Sequence, residues 1–189
     1  MSMTVKRRKD TRTPRVFMHK IADIRGGVSV NVTELGCDYL PEGTVLSAPV
    51  SGVCHVVKRA TLTAEATNSD TTYKVAKGHP FIVGDVVMLA TNAKAYAITA
   101  IDNSNSGYDV ITVGTTLGAA ASIGDQLMQA AAAGASGSAL KYAPLSLTGT
   151  GKPVEKGQNL DVDAWIIGVT KGNPLPSAIA SELKGIINY

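Results

Sequence analysis

Aromatic side chains are scarce in this 189-residue chain, which holds two Phe, one Trp and six Tyr. A core built from it must rest on Val, Ile and Leu, each stabilising by roughly 1.5–3 kcal/mol when fully buried. Charged residues are also few, at 17% against the ~25% usual for soluble domains. Two interpretations stay open: part of the surface is covered in an assembly, or the chain is a small β protein with a Ser, Thr and Asn surface.

Long apolar runs are missing too. The longest, such as Ala130–Ala133 and Ala164–Ile167, fall far short of the ~20 residues of a membrane span. The apolar stretch of a secretory signal is absent, because residues 16–18 are followed at once by His19 and Lys20. We therefore expect no membrane association, and we expect the protein to stay in the cytosol of the cell that makes it.

Cysteine and histidine, which are common metal ligands, are few: the chain has two Cys and three His. Cys37 and Cys54 are expected to be reduced thiols that act as small buried apolar residues, with a disulfide as the less favoured alternative. Cys54 and His55 are adjacent, so on a strand they face opposite ways and do not share one ion. Asp161 and Asp163 fit either a Ca²⁺ site or a charged edge strand, and we favour the edge strand.

Motifs of catalysis are incomplete. Residues 134–138 resemble a nucleophile elbow, but Ser138 stands where the last Gly belongs. Gly151 and Lys152 suggest a phosphate-binding loop, yet Pro153 occupies the position of its Ser or Thr. We therefore predict no enzyme activity, no metal and no cofactor.

Positive charge is concentrated at the N-terminus. Residues 1–25 hold eight Lys and Arg against two Asp, a net +6, and the remainder of the chain sums to −3. This predicts a flexible basic arm over 1–25 that docks on an anionic or recessed surface. The candidate docking residues are Lys6, Arg7, Arg8, Lys9, Arg12, Arg15, Val16, Phe17 and Met18, with Ile21 as a further apolar anchor. Phosphate neutralisation on a nucleic acid and a plain solubilising tail are the alternatives.

The rest of the chain has the rhythm of a β protein. Apolar and polar residues alternate in short runs at 8–12-residue spacing, separated by turn formers, which predicts a mainly β body, a sandwich or a barrel. We divide it into a linking β segment over 26–60 and a β-rich body over 61–189. Lys94–Ile101 and Tyr108–Val113 are expected to form a hairpin.

Two further patterns concern turns and the C-terminus. Ile82–Met88 and Ser122–Met128 share a Gly-Asp pair between apolar residues, so we expect Gly at positive φ and Asp accepting local N–H bonds. After Pro176, apolar residues recur every 3.6 positions, which predicts a short amphipathic helix over about 176–187. Its apolar residues are Ile179, Leu183 and Ile186.

From Tyr73 onward the chain resembles the head-fibre, or capsid-decoration, proteins of tailed phages and related prophages. The stretches that carry the resemblance, in order, are Tyr73–Val75, Lys77–His79, Phe81–Asp85, Ala95–Asp102, Tyr108–Gly114, Ala139–Pro144, Ala164–Gly168 and Ile187–Tyr189. No single stretch is diagnostic, and the order is the more specific signal. The resemblance does not extend to the N-terminal arm.

The resemblance implies a virion structural protein on the outer surface of the phage head, made in the bacterial cytoplasm. It implies a homotrimer, the major capsid protein as partner, and neither enzyme activity nor cofactor. Ile179, Leu183 and Ile186 would then complete each subunit's core or pack around the three-fold axis. A nucleic-acid-binding module that uses the arm is one alternative. The other is a carbohydrate or host-surface adhesion module, in which the loop 102–107 reaches a glycan.

Overall fold

The computed structural model describes residues 15–189 and is mainly β with a short C-terminal helix, which confirms the predicted fold class. Outside it lie residues 1–14, and with them the predicted docking residues Lys6, Arg7, Arg8, Lys9 and Arg12. The elements are β1 Phe17–Asp23, β2 Val28–Val30, β3 Tyr39–Leu40, β4 Val45–Ser47, β5 Arg59–Thr61, β6 Thr72–Ala76, β7 Val86–Met88, β8 Ala95–Asp102, β9 Tyr108–Val113, β10 Gln126–Gln129, β11 Pro144–Thr148, β12 Lys152–Pro153, β13 Leu160–Val162, β14 Ala164–Thr170, α1 Ser177–Ala180 and β15 Ile186–Asn188. No helix in this part of the chain is long and apolar enough to cross a membrane.

The middle of the chain forms an antiparallel six-stranded sheet in the order β5-β10-β7-β8-β9-β6. Its two outer strands are joined by a bridge between Leu62 and Val75 and by a hydrogen bond from Thr63 N–H to Lys74 O of 2.9 Å. The sheet therefore closes on itself as a small barrel, which leaves no open edge there. Its interior is apolar, with Tyr73, Phe81, Val87, Ile98, Ile111 and Leu127 among the buried side chains. The predicted hairpin is confirmed as β8 and β9.

The two ends of the chain combine in a second sheet of order β1-β14-β11-β4, with β15 added in parallel to β14. Two small antiparallel pairs, β2 with β13 and β3 with β12, join the segment 26–60 to the C-terminal third. An apolar cluster that draws on both the barrel and this sheet packs them together. It includes Phe17, Val45, Met88, Met128, Leu147, Ile179 and Leu183.

The predicted flexible arm over 1–25 is wrong for Phe17–Asp23, which form β1 and pair antiparallel with β14. Phe17 is only 8% exposed and packs in the shared apolar cluster, so β1 is part of the body. The strand escaped prediction because β-bulges shift its register, and its apolar residues do not alternate as a regular strand requires.

The C-terminal helix is present, but its predicted span of 176–187 is wrong, since α1 ends at Ala180. Ile186 lies instead in β15, where backbone pairing with β14 holds the chain extended. Gly185 permits this close approach, because a Cβ there would lie 2.3 Å from Ile166 O. Ile179 and Leu183 are buried in the shared apolar cluster, with Ile186 packed against it.

Candidate functional site

The most exposed apolar residues of the N-terminal region stand on the edge strand β1. Phe17 and His19 pair with successive residues of β14, as do Lys20 and Ala22, so that Met18 and Ile21 are the extra residues of two β-bulges. Bulges re-aim side chains and hinder the addition of a further strand to an edge. Met18 is 52% exposed and Ile21 is 65% exposed. Both predicted anchors are therefore available to a partner.

The other predicted docking residues of the described chain differ in their exposure. Phe17 faces inward, with its ring 6.3 Å from that of Trp165, and its amide donates to Glu42 Oε1 at 2.9 Å. The prediction that Phe17 contacts a partner is therefore wrong, because its side chain belongs to the core. Val16 is half-buried on the wall of a cleft, and Arg15 is exposed.

Lys20 is fixed against the sheet. Its Nζ lies 5.5 Å from the Phe17 ring centre and 5.3 Å from that of Trp165, and it donates to Gly149 O. Cations over aromatic faces gain ~0.5–1 kcal/mol at exposed sites. Asp163 Oδ2 lies 4.0 Å from the Lys20 Nζ and accepts from Trp165 Nε1 at 3.0 Å. Asp163 thus contacts both Lys20 and Trp165.

Metal ligands do not gather in the described chain. Among residues 15–189 no group of three or more His, Cys, Asp or Glu is placed to hold an ion. Cys37 and Cys54 are buried free thiols, as the sequence predicted, and burial raises the pKa of each. Cys54 is buried, whereas the His55 ring stacks on Tyr142 and its Nδ1 lies 2.7 Å from Glu34 Oε1.

A buried lysine, which the sequence analysis missed, connects the N-terminal segment to the barrel. The Lys58 side chain is 0% exposed, and its Nζ donates to Asp85 Oδ2 at 2.7 Å and to Glu34 O. Asp85 Oδ1 also accepts from Gln129 Nε2 at 2.8 Å. A buried cation needs such a carboxylate, because an unpaired charge inside a protein is expensive.

A cleft of about 340 Å³ opens between the segment 37–45, β5 with the residues just before it, the turn that follows β6 and the loop that follows β14. Arg59, also missed from the sequence, lines it together with Glu42, Lys77, His79 and Asn173. Burial lowers the pKa of the Arg59 guanidinium to about 10, so the side chain is still cationic at neutral pH. No carboxylate of residues 15–189 lies within ion-pairing distance of it.

His79, on the same cleft, is held between two neighbours. Its Nδ1 accepts from Phe81 N–H at 3.3 Å, and its buried Nε2 lies 3.5 Å from Asp109 Oδ2. Desolvation lowers the pKa of His79, so the ring is neutral at pH 7. Cys37 also lines the cleft, but its raised pKa keeps the thiol protonated, and the ring nitrogens of His79 face other groups. Cys37 therefore offers no thiolate nucleophile to this cleft at neutral pH.

Comparison with known proteins found no match: no family model, no curated protein and no solved structure matches the chain.

Proposed function

We propose that the chain is a structural protein of a tailed-phage virion, a head fibre or capsid-decoration protein that docks on the assembled head through its N-terminal region. The resemblance from Tyr73 onward supports this proposal. The observation that carries it is the placement of Met18 and Ile21, which project from an edge strand directly after the basic segment. The major capsid protein is the proposed partner, and a homotrimer is the proposed state.

The two parts of the N-terminal region contribute differently to docking. The cations before β1 speed and orient encounter with an acidic capsid surface, an effect that salt weakens. Met18 and Ile21 provide the lasting contact. They are 52% and 65% exposed, so burying the exposed part of both side chains stabilises the complex by roughly 2–3.5 kcal/mol. In a trimer, simultaneous docking of three subunits strengthens binding to the head further through avidity.

A binding assay with purified heads tests the proposal. Heads of the encoding phage that lack this protein are mixed with the wild-type chain or with the double variant Met18→Asp, Ile21→Asp, and sedimented. We expect the double variant to bind at least tenfold more weakly, because two charges replace the apolar contact. The matched control is Ile123→Asp, which changes a residue of similar exposure (66%) in a Gly-Asp turn of the barrel.

Truncation separates the charge from the strand. Removing residues 2–14 is expected to lower the association rate and its salt dependence while leaving β1 intact. Removing residues 2–25 would also delete Phe17 from the core, so it is a poor test of docking. If both the truncated chain and the double variant decorate heads as the wild type does, the proposal is wrong. DNA retention that weakens steeply with salt, without head binding, would favour the nucleic-acid module instead.

A further inference from the structure

The cleft beside Arg59 has the dimensions of a small ligand site. Its volume of about 340 Å³ lies at the low end of the roughly 300–1,000 Å³ typical of ligand pockets. Its walls come from five separate parts of the chain, and its apolar lining is supplied by Leu40, Val45, Val56, Val57, Ala60 and Pro80. A largely apolar lining with a few placed polar or charged groups is the usual composition of a pocket that orients a small molecule.

Arg59 is positioned firmly but left without an anionic partner. Its Nη1 donates to Gln126 Oε1 at 3.0 Å and to Pro174 O at 2.6 Å, and its Nη2 donates to Asn173 Oδ1. All three acceptors are neutral. Nε–H and one N–H of Nη2 make no hydrogen bond within residues 15–189, so two donors of the guanidinium are still unused. A held guanidinium with free donors is preorganised for a carboxylate.

The other charged groups of the cleft limit the charge that it accepts. Lys77 Nζ is paired with Asp109 Oδ1 at 2.5 Å, so it adds little net charge. His79 is neutral at pH 7 because desolvation lowers its pKa. Glu42 brings a negative charge to the wall, farther than 4 Å from the guanidinium, and its Oε1 accepts from Phe17 N–H. One uncompensated cation beside one carboxylate suits a monoanion better than a phosphate dianion.

From these observations we infer that the cleft binds a monocarboxylate with a short apolar body, the carboxylate on Arg59 and the body against the aliphatic wall. A small organic acid and the C-terminal carboxylate of a peptide with an aliphatic last residue share this chemistry. The cleft adjoins β1 through Val16 and Glu42 but does not include Met18 or Ile21, so the inference does not depend on the proposed docking on a phage head.

Calorimetric titration of the full chain tests the site. Hexanoate is the probe, with 1-hexanol as the uncharged analogue and inorganic phosphate as the alternative anion. We expect saturable hexanoate binding with Kd on the order of 1 mM, at least tenfold tighter than either comparison ligand. A short peptide that ends in Leu, with a free or an amidated C-terminus, identifies the source of the carboxylate.

Three variants locate the binding. Arg59→Gln removes the cation, and Ala76→Leu narrows the cleft without removing any bond that Arg59 makes. Each is expected to weaken hexanoate binding at least tenfold, whereas Lys184→Gln, an exposed change outside the cleft, leaves it unchanged. The Ala76→Leu result stands even if Arg59→Gln disturbs the loop at Asn173.

The outcomes separate cleanly. Tighter binding of the free-acid peptide than of hexanoate assigns the site to a chain terminus, and the reverse assigns it to a small acid; both support the inference. Equal binding of 1-hexanol or of phosphate overturns it, as does the absence of saturable hexanoate binding. Retained affinity in both Arg59→Gln and Ala76→Leu would show that hexanoate binds elsewhere, which also overturns it.

Discussion

Removal of the Asp85 carboxylate is predicted to destabilise the protein far more than removal of its counterpart in the second Gly-Asp turn. Asp85 Oδ2 accepts from Ile82 N–H at 3.0 Å, and Asp125 Oδ2 accepts from Ser122 N–H at 2.8 Å. The two turns therefore make the same local bond. They differ because Asp85 also neutralises the fully buried Lys58 at 2.7 Å.

The magnitude follows from this difference. Asp85→Ala leaves the ammonium of Lys58 buried without a carboxylate, which costs roughly 3–5 kcal/mol. Asp125→Ala loses only an exposed turn bond, about 0.5–1.5 kcal/mol. Lys58→Met is expected to cost less than Asp85→Ala, because the carboxylate keeps its bonds from Ile82 and Gln129. In the double variant no charge is stranded, so its cost should fall below the sum of the two single variants by ~1–3 kcal/mol.

Urea unfolding of the four variants at pH 7 measures these free energies. The slope of the unfolding free energy against urea concentration is compared between variants to detect changes in the unfolded state. The reasoning fails if Asp85→Ala costs no more than Asp125→Ala. It also fails if the Lys58→Met and Asp85→Ala costs simply add, since the two charges would then not interact.

Two further predictions concern single sites. A Cβ at residue 149 would lie 2.1 Å from Trp165 Nε1, so Gly149→Ala should lower the free energy of unfolding in urea by about 1–3 kcal/mol. Gly107→Ala is the control, because a Cβ there meets nothing closer than 3.5 Å. Equal losses in the two variants would contradict the predicted clash. His79 has a pKa below its ordinary 6.5 in the folded state. As the pH drops from about 7, His79 takes up a proton in the unfolded chain before it does so in the folded chain, so the free energy of unfolding falls. His79→Asn should flatten this slope relative to the wild type, and an unchanged slope would assign it to other groups.

Local features of the fold could be predicted from the sequence. At both Gly-Asp turns the glycine has a positive φ, 95° at Gly84 and 94° at Gly124, and the aspartate accepts the N–H three residues earlier. These features depend on four consecutive residues and on the missing Cβ of glycine, so the residue pattern was sufficient. The β8–β9 hairpin was predictable for the same reason, as its strands adjoin in sequence.

Features that depend on distant partners escaped prediction. Lys58 is bonded to groups 24 and 27 residues away, and Arg59 to groups 67, 114 and 115 residues away. Nothing near either residue marks it as buried, and both read as ordinary cations of an alternating run. The end of α1 at Ala180 has a similar cause. The 3.6-residue period continues past it, and only the pairing of β15 with β14 makes the chain extended.

The position of β1 changes the physical picture of the proposed docking. The prediction of a flexible arm over 1–25 would let Met18 and Ile21 move independently of the body, whereas both residues stand on β1, which pairs with β14. Phe17 also packs in the shared apolar cluster, which includes Met88 and Met128 of the barrel, so β1 is held against the barrel. In the proposed docking, Met18 and Ile21 would therefore contact the capsid only when the body itself lies against it. Because β1 is held by β14 and by the core, the proposed docking through Met18 and Ile21 would fix the orientation of the body on the capsid.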